Sequence, residues 1–121
     1  MLNRKEVHNS ETLNIQIDSH DQKSYLIELS KDCTKFDLNV ECLENSFSKF
    51  FILNHAESAC ELNINMVLKQ DANCQMGVLD LEKSPLKWNH YVDLKEQGAE
   101  YVILSGLLCQ EHIEKVCDME V

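Results

Sequence analysis

Apolar residues recur at a spacing of 13 along most of this chain, and a period that short leaves room for very few folds. One column reads Leu29, Cys42, His55, Leu68, Leu81, Leu94 and Leu107. A second, two residues earlier, reads Ile27, Val40, Leu53, Met66, Leu79 and Val92 before failing at Ser105. A third reads Tyr25, Leu38, Phe51, Ile64, Gly77, His90 and Ile103. Within each module the apolar positions alternate by two, the period of a strand whose side chains point to opposite faces. Such a module holds one short strand and a corner, and it cannot also hold a helix with its connections. A short fixed period is the mark of a solenoid, in which each repeat buries its apolar face by stacking on its neighbours. If two modules make one turn, the chain is all-β: a flattened parallel β-helix with two facing sheets.

That geometry predicts strands near 24–29, 50–55, 76–81 and 102–107 in one sheet and near 36–42, 62–68, 88–94 and 114–120 in the other. The second sheet then divides cleanly. Phe36, Leu62 and Trp88, Leu38, Ile64, His90 and Val116, and Val40, Met66 and Val92 point inward, while Asp37, Asn63, Asn89, Asn39, Asn65, Tyr91 and Cys117 face water. The first sheet is apolar on both faces. Its inward rows are expected to be Tyr25, Phe51, Gly77 and Ile103, then Ile27, Leu53 and Leu79, then Leu29, His55, Leu81 and Leu107. The opposite face would then carry Phe50, Ile52, Met76, Val78, Val102 and Leu104. A sheet apolar on both sides has to be covered on both. Those six residues are therefore the expected partner-binding surface, and the protein is expected to be a homo- or hetero-oligomer.

Residues 1–12 are polar and without period, and Leu13 to Ile17 reads as an incomplete first strand. Residues 1–19 are accordingly set apart from a β-helix core over 20–121. That core reads as cut short at its end, where Glu114, Asp118 and Glu120 fall in rows that were apolar earlier.

Composition narrows the function classes. Twenty-one acidic against 11 basic residues give a formal net charge of −10, which argues against nucleic acid or an anionic membrane as the partner. No run approaches a membrane span and the polar start lacks the apolar core of a secretion signal, so a cytoplasmic location is expected. Six cysteines stand at 33, 42, 60, 74, 109 and 117 without a Cys-x-x-Cys pair or a zinc or ferredoxin spacing. Reduced thiols and no self-contained metal site follow. With three glycines a phosphate-cradling loop is improbable, and no catalytic constellation stands out, so no enzymatic activity is expected.

The repeat gives each remaining residue an address. Cys42 and His90 fall in inward rows and read as core, and His55 as structural at a strand end. Glu28, Glu41, Asp80 and Asp93 read as solubilising charges on outer faces. Cys109 at a corner and Cys117 in an outward row are the candidate exposed thiols.

The segment Leu94-Lys95-Glu96-Gln97-Gly98-Ala99-Glu100-Tyr101-Val102-Ile103-Leu104-Ser105-Gly106-Leu107-Leu108, followed by His112 and Asp118, resembles the SufB/SufD family of iron–sulfur cluster assembly scaffolds, with its Gly-Ala-Glu, strand, Gly-Leu and downstream His. Ala59-Cys60-Glu61-Leu62 and the run to Leu81 resemble the preceding turns. The resemblance implies a SufD-like chain spanning the N-terminal part of that β-helix, a non-enzymatic scaffold working with a SufB-like subunit and a SufC-like ABC-type ATPase. It implies no cofactor held by this segment alone, an iron–sulfur cluster belonging to the full assembly. Two other classes stay open: a small β-solenoid or cupin-like binding module using His55 and His90, and a purely structural oligomerisation module.

Overall fold

The computed structural model describes residues 2–81, 84–94, 96–107 and 115–120, with side chains described up to residue 103. The chain coils into a flattened parallel β-helix, two strands to each turn. The odd-numbered strands β1 (Leu2–Val7), β3 (Gln22–Leu29), β5 (Phe47–Asn54), β7 (Asn73–Asp80) and β9 (Glu100–Leu107) form one five-stranded parallel sheet, in that order. The even-numbered strands β2 (Ser10–Ile17), β4 (Lys35–Cys42), β6 (Cys60–Leu68), β8 (Leu86–Asp93) and β10 (Lys115–Glu120) form the other. Among the described residues no helix is long and apolar enough to cross a membrane.

One edge of the coil is built from a repeated corner. The four-residue connections Asp18–Asp21, Leu43–Ser46 and Lys69–Ala72 each close with a hydrogen bond from the fourth amide to the first carbonyl. Each places its third residue, His20, Asn45 or Asp71, in the left-handed region. The next connection, Leu94–Ala99, uses Gly98 at φ +78° for the same purpose. These corners stack: His20 N–H donates to Glu44 O, Asn45 N–H to Gln70 O and Asp71 N–H to Gln97 O. A Cβ on Gly98 would come within 1.9 Å of Asp71 Oδ1, so glycine is needed for its backbone angle and for room.

The second sheet meets expectation over β4, β6 and β8. Phe36, Leu38, Val40, Cys42, Leu62, Ile64, Met66, Leu68, Trp88 and Val92 are buried. On its outer face two amide ladders run across the strands. Asn65 donates to Asn39 and Asn39 to Asn14, each at 2.9 Å, while Asn89 donates to Asn63 and Asn63 to Asp37, each at 2.7 Å.

Residues 2–17, expected to hold only a partial strand, complete a full first turn. Its side chains explain the missing period. The inward positions Lys5 and Glu11, which continue the rows of Ile27 and Phe36, carry charge and pair with each other at 3.6 Å.

The first sheet departs from the 13-residue register. Tyr25 pairs with Phe50 rather than Phe51, a step of 25 residues; Phe50 pairs with Met76 after 26, and Met76 with Ile103 after 27. Because side chains alternate with a period of two, a one-residue step reverses the faces of a strand. β5 and β7 are thus inverted relative to the expectation, and the phase returns at β9. The missing residue is accounted for in the second sheet, where β4 has eight residues and β6 has nine. The extra residues at β9 lie in the six-residue connection before it. Phe50, Ile52, Met76 and Val78 are therefore core, each no more than 2% exposed, and Phe51 is outside at 47%.

Polar chemistry agrees with the inversion. The expected phase would have buried Lys49 and Gln75, which share the parity of Phe51 and Gly77 and lie exposed. The observed phase buries Asn54 and Asp80 instead, and these satisfy each other: Asn54 Nδ2 donates to Asp80 Oδ1 at 3.0 Å while its Oδ1 accepts the Ala56 amide at 3.1 Å. Asp80, expected among the solubilising outer charges, is fully buried. Sharing hydrogen bonds inside costs less than desolvating a lysine ammonium.

Candidate functional site

Four places gather chemistry-bearing side chains among the described residues. Trp88 and His90, in the core, form a chain with the partly buried Tyr101. The indole N–H donates to His90 Nδ1 at 3.1 Å, and His90 Nε2 lies 2.5 Å from the Tyr101 hydroxyl. An indole can only donate, so Nδ1 is the bare nitrogen and neutral His90 carries its proton on Nε2, toward Tyr101. Burial holds the imidazole pKa down to about 4 and pushes the Tyr101 phenol up. His90 is thus a neutral core histidine, as its row predicted.

The four described cysteines are also inside. Cys33 and Cys60 stand with their sulfurs 3.8 Å apart, and Cys42 lies 3.6 Å from the Ser48 hydroxyl. Desolvation raises the Cys33 thiol and pushes Cys60 up to about 12, so both are protonated and unreactive near neutrality. Of the two candidate exposed thiols, Cys109 lies outside the described residues. Cys117 lies on β10, where the backbone register sets it opposite Trp88 and sets Glu120 opposite Tyr91. That differs from the expected row, in which Cys117 followed Tyr91.

A surface groove of about 420 Å³ runs along the corner after the first sheet, bordered by Glu6, His8, Glu28, Ser30, Asp32 and His55. His8 Nε2 contacts Glu6 at 3.2 Å, His8 Nδ1 lies 3.0 Å from Ser30 Oγ, and His55 Nε2 lies 3.7 Å from Glu28. The set contains the residue types of a nucleophile, base and orienting carboxylate, but the proton runs the wrong way. Ser30 has one hydroxyl hydrogen, for which the Val7 carbonyl at 2.7 Å and the Asp32 carboxylate, both able only to accept, compete. It therefore meets His8 as an acceptor, whereas a general base must receive that hydrogen. The same hydroxyl holds the Asp32 carboxyl below its usual range. Among the described residues no group of three or more His, Cys, Asp or Glu side chains is placed to hold a metal ion. His55 and His90 do not converge, since one lines this groove and the other is enclosed in the core.

The fourth place is the outer face of the first sheet. After the inversion its middle row is Arg4, Leu26, Phe51 and Gly77, in register across β1 to β7. The row before it carries Leu2, Ser24, Lys49, Gln75 and Val102, and the row after it Glu6, Glu28, Leu53 and Leu79. Leu2, Phe51 and Val102 are 50%, 47% and 47% exposed. Phe51 leans over Gly77: a Cβ there would sit 2.9 Å from the phenyl ring. The glycine lets the ring come close to β7, and beside it lies a hollow of about 300 Å³ that reaches Leu2, Lys49 and Gln75.

Of the six residues expected to meet a partner, Phe50, Ile52, Met76 and Val78 are not available to one, because the register turns them inward. Val102 is on the exposed face as expected, and the Leu104 side chain lies outside those described. The inference that this sheet is apolar on both faces survives with different residues, because β5 and β7 carry apolar side chains in both phases. Phe51, Leu53 and Leu79 take the outer places. The signal that would have found them is local: Lys49 and Gln75 mark the wet parity of their strands. Compared with models of protein families, with curated proteins and with solved structures, the chain matches none.

Proposed function

We propose that this chain is a rigid scaffold subunit that acts through protein contact, in the setting its resemblance to SufB/SufD implies: a Suf-type assembly in the cytoplasm with a SufB-like subunit and a SufC-like ABC-type ATPase. The observation that supports a contact role is the outer face of the first sheet, where Leu26, Phe51, Leu53, Leu79 and Val102 lie on one side of stacked parallel strands. Leaving a group of such side chains in water costs about 25 cal/mol per Å² of apolar surface, and contiguous patches of this kind mark interaction sites. A parallel β-helix suits the task, because stacked strands hold the face at a fixed pitch without a ligand to order it. Any iron–sulfur cluster would belong to the assembled complex.

The test is co-elution of the purified chain with a SufB-like subunit and a SufC-like ATPase in size-exclusion chromatography, repeated with Phe51→Lys. The proposal expects a complex that the substitution weakens. No complex with either protein would end the Suf reading.

A further inference from the structure

We infer that the outer face of the first sheet pairs with the same face of a second copy of this chain, the two copies related by a two-fold axis running across the strands along the Leu26–Phe51–Gly77 row. The inference rests on reading that face as a contact surface, and not on the identity of the Suf partners, which would compete with the second copy for it.

The charges flanking the apolar row, Lys49 and Glu28, favour this arrangement, which sets one like pair, Arg4 on Arg4, at the β1 end of the row. Along the strand direction, Lys49 precedes the apolar row and Glu28 follows it, on adjacent strands. A two-fold axis lying in the interface across the strands reverses strand direction, so the row holding Lys49 in one copy falls over the row holding Glu28 in the other. Each lysine then comes beside the other copy's glutamate, twice over, as an isologous contact requires. An axis along the strands would instead set lysine row on lysine row and glutamate row on glutamate row. The same operation brings the exposed Phe51 ring of one copy onto that of the other.

Size is sufficient. Five strands at about 4.8 Å and eight residues at about 3.3 Å span roughly 24 by 26 Å, or about 600 Å² in projection. A ridged side-chain surface has a larger accessible area than its projection, which brings it toward the roughly 800 Å² per partner of a standard interface. The other broad face does not compete, because the amides of the second sheet bond to one another in ladders.

The experiment is light scattering of the full chain over a concentration series, with Lys49→Glu, Glu28→Lys, the double charge swap, and Phe51→Lys, each checked for unchanged circular dichroism. Wild type should approach twice the 14.0 kDa of one chain at about 100 µM, with a dimer that weakens as salt rises. Each single reversal should raise the dissociation constant about 10-fold and the double swap should recover most of that loss. A wild type monomeric throughout the series overturns the inference, as does a double swap no better than either single. A monomer that still binds the SufB-like subunit removes the dimer and leaves the scaffold proposal standing; a dimer that binds neither Suf protein does the reverse.

Discussion

The inverted register of β5 can be measured by comparing two neighbouring phenylalanines. Phe50 is 2% exposed and stacks on Tyr25, ring centroids 5.0 Å apart and planes 5° from parallel, whereas Phe51 is 47% exposed. Replacing Phe50 with alanine removes a buried ring and leaves a cavity walled by a parallel sheet that has little freedom to collapse, a change that costs about 3–5 kcal/mol in comparable cores. Loss of the stack belongs within that range. At Phe51 no cavity forms, and half of the roughly 1.5–3 kcal/mol of full burial is already forgone, so alanine should cost about 1 kcal/mol. The assay is urea unfolding followed by circular dichroism, at protein concentrations where light scattering shows both variants monomeric. Phe50→Ala should lower the midpoint several times as far as Phe51→Ala, with similar slopes. Equal losses, or a larger loss at Phe51, would mean that the strict 13-residue register holds and that β5 presents its other face.

Three further outcomes are expected. His90, whose pKa drops to about 4 from an ordinary 6.5, stays neutral in the folded chain while the unfolded chain takes a proton. Stability is therefore full above about pH 6.5 and falls by about 3 kcal/mol as the pH drops toward 4. His90→Phe should flatten that part of the urea midpoint against pH, and an unchanged slope would contradict the buried neutral imidazole. Gly98→Ala should cost at least the roughly 1–2 kcal/mol of a left-handed non-glycine residue, and Asp71→Gly in the same chain should restore part of it by removing the atom that the new Cβ would strike. In a Cys109→Ser, Cys117→Ser chain, Cys33, Cys42, Cys60 and Cys74 should resist a disulfide reagent at pH 8 until denaturant is added; prompt reaction would contradict their burial.

Much of the candidate surface was legible one step removed from its residues. That the first sheet is apolar on both faces follows from the strand sequences alone, since Phe50-Phe51-Ile52-Leu53 supplies apolar side chains in either phase. Which of them face out does not follow, because the answer depends on residues elsewhere: eight in β4, nine in β6, six in the connection after β8. The buried pair Asn54 and Asp80 was hidden for the same reason. Each residue by itself reads as solvated, and only the stacking of β5 on β7 gives one the other's amide or carboxylate. The groove holding His8 and His55 joins residues two turns apart, and His8 lies in a segment whose lack of period concealed a full turn.

The sequence by itself determined the coil. A 13-residue apolar period admits strand modules and excludes helices, and a sheet with one polar face, such as the second, can be oriented from its own alternation; Cys42, Trp88 and His90 therefore fell inside without ambiguity. The phase of β5 and β7, the closure of residues 2–17 into a turn, and the identity of the outer apolar row were decided by the tertiary structure. The physical reason is the two-residue period of a strand. Where one face is polar, a slip of one residue is costly enough to be read locally; where both faces are apolar, desolvation of Lys49 and Gln75 and the pairing of Asn54 with Asp80 decide the phase, and those energies exist only once the turns are stacked.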